Sequence, residues 1–128
     1  MKVICVRLLN ADNLEVESMP WLSLGRVYHV MSIYIESNGA RSYRIISNDV
    51  DAGFATMGYH FAECFKIISD VIPSNWKVRV CNMSDIDISP EAWQAPNFFE
   101  DFYDANPAAY LVFQRERDFI LSEDPDKG

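Results

Sequence analysis

The chain has 128 residues, 49% of them apolar and 13% aromatic, with 23% charged. That is too much hydrophobic material for a disordered chain, and enough to bury a core without a disulfide or metal staple. The formal net charge of −8 argues against nucleic-acid binding, which needs at least a local basic stripe, and none is visible.

Lys2 to Leu8 reads as a first strand, with Val3, Cys5 and Arg7 on one face and Ile4, Val6 and Leu8 on the other. The wholly apolar second face predicts the buried side. Asn10-Ala11-Asp12-Asn13 is turn chemistry. Leu14 to Trp21 forms an irregular acidic connector, in which Glu15, Val16 and Glu17 alternate as a short edge strand would.

From Gly25 the β pattern strengthens. Val27, His29, Met31, Ile33 and Ile35 alternate with Tyr28, Val30, Ser32, Tyr34 and Glu36, which predicts one continuous strand. Ser37-Asn38-Gly39-Ala40 is a hairpin loop in which Gly39 supplies a positive φ. Ser42 to Ser47 returns as a strand, and Asn48 to Gly53 makes a second loop before Phe54-Ala55-Thr56. Tyr59 to Glu63 fits a single helical turn, and Cys64 to Ser69 a further strand.

Ile72-Pro73-Ser74-Asn75 is the best internal boundary. Beyond it, Trp76 to Cys81 and Ile86 to Ile88 predict a hairpin around Asn82 to Asp85. Ser89-Pro90-Glu91 has the form of a helix start, with Ser as cap and Pro in the first turn. Phe98 to Tyr103 is a short aromatic helix. The clearest helix is capped by Asn106, followed by Pro107, and runs to about Leu121 with Ala109, Val112, Phe113, Glu116, Phe119 and Ile120 near one face. The expected class is therefore α+β: a small, strongly bent antiparallel β-barrel over 1–72, then a hairpin and C-terminal helices over 73–128 packed on it as one compact unit.

No motif for chemistry stands out. Cys5, Cys64 and Cys81 are odd in number and sit in apolar contexts, as buried reduced thiols do. That pattern, with no membrane-length apolar run and an N-terminal apolar stretch too short for a secretion signal, predicts a cytoplasmic protein that spans no membrane. His60 and Cys64 lie four apart, but two ligands do not make a zinc site, and a Cys–His nucleophile would also need an oxyanion hole. The glycines never cluster into a phosphate loop, and Asn48, Asp49 and Asp51 lack the glycine and distal glutamate of a calcium loop. Neither a metal nor a cofactor is expected, and neither is an enzyme.

What remains is an acidic, aromatic surface. Residues 1–72 carry six Lys/Arg against eight Asp/Glu, while residues 73–128 carry five against eleven. Glu100, Asp101 and Asp104 interleave with Phe98, Phe99, Phe102 and Tyr103. On a helix, two of these carboxylates lie one turn apart with the third beside them. They could act as acid and base only if something separated their pKa values, and nothing in the sequence does. They suit a binding edge for a cationic partner, with Asp49, Asp51 and Tyr59 as second candidates. Tyr28, Tyr34, Tyr43 and Tyr59 would make a peptide-stacking surface if two or three faced outward.

The stretch Gly25-x-x-Tyr28-x-Val30, Tyr43-Arg44-Ile45-Ile46-x-Asn48-Asp49 and Phe61-x-Glu63-x-Phe65 resembles small bacterial SH3-like barrel domains. The stretch Pro73-x-x-Trp76, Ser89-Pro90-x-x-Trp93, Phe98 to Asp104 and Ala109-x-x-x-Phe113 resembles the tail of bacterial immunity proteins of polymorphic-toxin and contact-dependent growth inhibition systems. Together these cover about two-thirds of the chain. The resemblance implies a small, cytosolic, non-enzymatic inhibitor. It would bind a cognate toxin domain, acidic because such toxins are often basic nucleases, and would occlude the toxin's active site. The alternative is an SH3-like peptide- or protein-binding adaptor.

Overall fold

A computed structural model describes residues 1–46, 57–81 and 84–125. The expected loop over Asn48 to Gly53, the strand at Phe54 to Thr56, the tip Asn82-Met83 and the last three residues lie outside the described residues. The protein is α+β, with eight strands in two antiparallel sheets and two α-helices among the described residues. The strands are β1 (Lys2–Cys5), β2 (Val27–His29), β3 (Ser32–Ile35), β4 (Arg41–Ile46), β5 (Met57–Phe61), β6 (Phe65–Ser69), β7 (Trp76–Val80) and β8 (Ile86–Pro90). The helices are α1 (Phe98–Tyr103) and α2 (Pro107–Glu123). The first sheet runs β2-β1-β6 and the second β5-β4-β3-β8-β7. No closed barrel forms among the described residues.

The two sheets share one passage of chain. The Val30 amide donates to the Met1 carbonyl at 3.0 Å, ending the first sheet, and the next amide, Met31, donates to the Arg44 carbonyl at 2.8 Å, opening the second. Both side chains are fully buried. The single strand expected over Val27 to Ile35 is therefore two strands. Strict alternation cannot bury two consecutive side chains, so the corner shifts the pattern by one residue. Gly39 behaves as expected: with φ of 91° it closes the β3–β4 hairpin, where Glu36 and Ala40 bond across the loop.

Three other expectations are corrected. In β1 the buried face is Val3 and Cys5, while Val6 is 45% exposed. The strand ends at Cys5, so the alternation read out to Leu8 had no ladder to fix it. Tyr59 to Phe61 lies in β5, paired to Ser42–Arg44, and only Ala62–Cys64 makes a tight 3-10 turn. Ser89-Pro90 caps nothing. β8 runs through Pro90, and the 3-10 turn Glu91–Gln94 that follows has no side-chain cap. The acidic connector contributes a single bridge, Leu9 to Glu15.

Between the sheets pack Val3, Cys5, Tyr28, Tyr43, Ile45 and Phe65, with the Phe65 ring 6.2 Å from Tyr28 and 5.9 Å from Tyr43. The core continues into the helical end. There Trp93 stacks on Phe113, Phe102 lies 4.8 Å from Phe113, and Ile120 is fully buried. α2 is fixed at both ends. The Asn106 side chain accepts from the Ala108 amide, with Pro107 in the first turn, as the sequence predicts. At the far end Asp124 accepts from Ser69 Oγ at 2.7 Å and lies 3.1 Å from the Met1 amino group, and its carbonyl takes His29 Nε2 at 2.8 Å. Ser69, the amino group and Lys2 together hold the Asp124 carboxyl below its usual range, against the opposing effect of burial. No helix among the described residues is long and apolar enough to cross a membrane.

Candidate functional site

Register dictates which side chains share a face. Ser32 opposes Arg44, Arg44 opposes Tyr59, Tyr34 opposes Asp87, and Asp87 opposes Arg79, so all six lie on one face of the five-stranded sheet. This polar face is not left to water. The turn Glu91–Gln94 bonds onto it, with Gln94 Nε2 donating to the Lys77 carbonyl at 2.9 Å and to the Ser89 carbonyl at 3.2 Å. Asn97, at φ 62°, then redirects the chain into α1. Within α1, Phe98 and Phe102 turn inward at a four-residue spacing. Phe99 lies against Arg44 and Tyr103 reaches the edge strand, its hydroxyl donating to the Met57 carbonyl at 2.9 Å.

Beneath this cover Arg44 is 6% exposed, its guanidinium sandwiched 4.1 Å from the Tyr59 ring and 3.8 Å from the Phe99 ring. Arg44 Nε and Nη1 and Asp87 Oδ1 are buried without a hydrogen-bond partner among the described residues. Asp87 Oδ2 accepts from Arg79 Nη2 at 3.0 Å and from Ser89 Oγ at 3.3 Å. Burial pulls the Arg44 pKa down, opposed by Tyr59, Tyr103 and Asp87; an arginine starts too high to lose its proton. Burial raises the Tyr59 pKa, with Arg44 opposing. Arg44 thus ties β4 to both β5 and α1. It was missed as a site residue although an arginine inside Tyr43-Arg44-Ile45-Ile46 is the visible sign of a cation carried into a core.

That tie decides where the predicted contact residues lie. Tyr59, 41% exposed, stands on one side of Arg44 and α1 on the other. Glu100 and Asp101 on α1 and Asp104 at its C-terminal cap are all exposed, next to Tyr103 at 53% exposure. None of the three carboxylates joins an ion pair with another described residue. Asp49 and Asp51 lie outside the described residues. Of the four strand tyrosines, Tyr28 and Tyr43 are buried, while Tyr34 and Tyr59 pair their rings at 5.9 Å. The Tyr34 hydroxyl donates to Asp85 at 2.6 Å, and that bond is the main cause pushing its pKa up to about 12.

A separate cleft of about 540 Å³ opens between β5 and the connector after β1, with Met19, Pro20, Trp21, Tyr59, His60 and Cys64 among its lining. It does gather His60 and Cys64, the pair weighed above as a nucleophile. Cys64 is 1% exposed and burial pushes its thiol up, while burial holds His60 down. A thiol kept protonated beside a neutral imidazole is the reverse of an activated pair. Trp21, 53% exposed, is the lining residue the sequence reading passed over; a tryptophan beside proline in an otherwise unpatterned connector was the available signal.

No protein-family model, curated protein or solved structure matches this chain. The residues alone therefore define what the surface can do. Carboxylates clustered without a cationic partner among the described residues favour an incoming cation. Flanking tyrosines add ring area and hydroxyls at little entropic cost, and a short helix anchored by two buried phenylalanines presents both rigidly.

Proposed function

We propose that this chain is an immunity protein of the SH3-like type, which binds a cognate bacterial toxin domain and covers its active site without chemistry of its own. One observation carries the reading: Glu100 and Asp101 on α1 and Asp104 at its C-terminal cap stand exposed, with no ion pair to another described residue, near the half-exposed rings of Tyr59 and Tyr103. Such a surface complements a basic active-site rim, as in a nuclease, where carboxylates take the place of substrate phosphates. The SH3-like description is supported by the order of β2, β3 and β4, with a buried corner at Val30-Met31 that bends the chain from one sheet into the next. The net charge of −8 would speed encounter with a basic partner.

The test is co-expression with the protein encoded immediately upstream, followed by affinity capture. A stoichiometric complex and protection from toxicity are expected. Changing Glu100→Gln, Asp101→Asn and Asp104→Asn together should weaken the complex by about 10- to 1,000-fold, as the loss of interfacial charge pairs does. Recovery of no partner together with no protection sinks the reading.

The cleft favours a second reading, a peptide-binding adaptor. Trp21, Tyr59 and Pro20 at its rim would grip an extended segment. In that case Trp21→Ala abolishes micromolar peptide binding and the α1 triple variant leaves it intact.

A further inference from the structure

The opposite edge of the five-stranded sheet carries a feature that the toxin-binding surface does not use. Among the described residues β7 is its outer strand and pairs only with β8. The Cys81 amide donates to the Asp85 carbonyl at 2.7 Å, which fixes the phase of the ladder. In antiparallel pairs, bonded and non-bonded residue pairs alternate. Arg79–Asp87 and Lys77–Ser89 are therefore the bonded pairs, and Val78–Ile88 and Val80–Ile86 the non-bonded ones. Pro90, which has no amide proton, falls opposite Trp76 in a non-bonded pair, as this phase requires. The amides and carbonyls of Val78 and Val80 consequently point away from the sheet, along an open edge.

The side chains beside that edge are equally unspent. Two aliphatic rows cross the strands, Val78–Ile88–Ile33 and Val80–Ile86–Ile35. The four isoleucines are half-buried, but Val78 is 68% and Val80 72% exposed, the two most exposed large apolar side chains described. On the opposite face of β7 stand Lys77 and Arg79. Arg79 is balanced by Asp87 beneath it. Lys77 lies 3.7 Å from Glu91 with both side chains mostly exposed, a contact screened by water and easily exchanged.

Charge decides what can pair here. In a two-fold pairing of β7 with a second copy, Val78 opposite Val80 sets Arg79 against Arg79 of that copy. Val78 opposite Val78 sets Lys77 against Arg79. Like charges directly opposite are destabilising, so both the register that pairs the two valines with each other and the one centred on Val78 are disfavoured. The geometry points to β7 as a docking edge for an extended segment of a partner protein in which apolar and acidic residues alternate. The segment adds as a sixth strand. Its main chain bonds Val78 and Val80, its apolar residues extend the two aliphatic rows, and its carboxylates face Lys77 and Arg79.

The test uses two capped synthetic decapeptides, one alternating valine with glutamate and one valine with lysine, with amide exchange read residue by residue by NMR on the whole chain. At about ten times its Kd, the glutamate peptide should slow exchange at Val78 and Val80 by about tenfold, and the lysine peptide should not. Val78→Pro should abolish the effect, since an edge strand tolerates proline where its amide faces solvent. The double change Val78→Lys and Val80→Lys, at exposed positions, should do the same with the rest of the spectrum unmoved. Lys77→Glu should erase the preference for glutamate. The inference is overturned by no slowing with either peptide, by equal slowing with both, or by concentration-dependent self-association that protects these same two amides. The toxin-binding test stands apart by its readout: it measures capture of a folded toxin domain and its loss when Glu100, Asp101 and Asp104 are changed, whereas this one reads the amides of Val78 and Val80, although Arg79 and Glu100 line one cavity.

Discussion

Arg44 is a cation removed from water and given rings instead of carboxylates. Its stacking on Tyr59 and Phe99 is worth about 2 kcal/mol in a desolvated setting, set against the cost of burying its charge with Nε and Nη1 unbonded among the described residues. Arg44→Met, which keeps the stem and removes the charge, should leave stability within about 1 kcal/mol of the parent. Arg44→Ala, which empties the space between the rings, should lose about 2–4 kcal/mol. Urea unfolding separates the two; a methionine variant as damaged as the alanine variant would show the charge itself to be essential. His60 makes a prediction in pH. Burial lowers its pKa below the ordinary 6.5, so the unfolded chain takes up its proton first, and stability falls as pH drops below about 6.5 towards the folded value. His60→Gln should flatten that slope between pH 8 and 5. The Asp124 contribution is distinguishable: its lowered pKa means that stability is lost only below the ordinary 3.8. The Tyr34 contribution holds below pH 10 and fades as pH rises through about 12.

The helices are held by local chemistry that can be read from the chain. Asn106 before Pro107 marks the start of α2, and the Asn106 side chain bonds the Ala108 amide at 2.9 Å. Asn106→Ala should cost about 1 kcal/mol in thermal or urea unfolding, while Asp104→Asn, one turn outside the helix, should cost almost nothing. The aromatic spacing of α1 and the hairpins at Gly39 and Asp85 were legible for the same reason: turn, cap and period all sit within a few residues. The change of sheet at Val30-Met31 was not legible, because only pairing with Met1 and Arg44, both distant in sequence, bends the strand there. The single turn read at Tyr59 to Glu63 failed likewise, since pairing with β4 outweighs the local signal. Of the candidate site, the α1 carboxylates could be found from their interleaving with aromatics. Arg44 and Trp21 each left a sign, an arginine inside an apolar strand and a tryptophan beside proline, but their roles could not be read, since what gives each its role is a neighbour contributed by another element.

Across the whole molecule, charge and shape distinguish two surfaces, which adjoin at a cavity lined by both Glu100 and Arg79. The acids of α1 stand beside β5, and the basic, aliphatic β7 closes the sheet's other edge. Association with a basic partner should therefore slow steeply as salt rises from 50 to 500 mM, with dissociation much less affected, because steering acts on encounter. Stopped-flow mixing measures both; a salt-independent on-rate would remove electrostatics from the account. The position of β3 between β4 and β8 has a consequence for synthesis. As the ribosome delivers the chain in order, β3 and β4 can zip at once, but the far side of β3 waits unpaired until Ile86 to Pro90 has emerged, some fifty residues later. Through that interval Ile33 and Ile35 lie on a bare inner strand, the kind of surface that recruits chaperones or neighbouring nascent chains. The vulnerable moment for this protein comes during its translation, before the hairpin that closes the sheet exists.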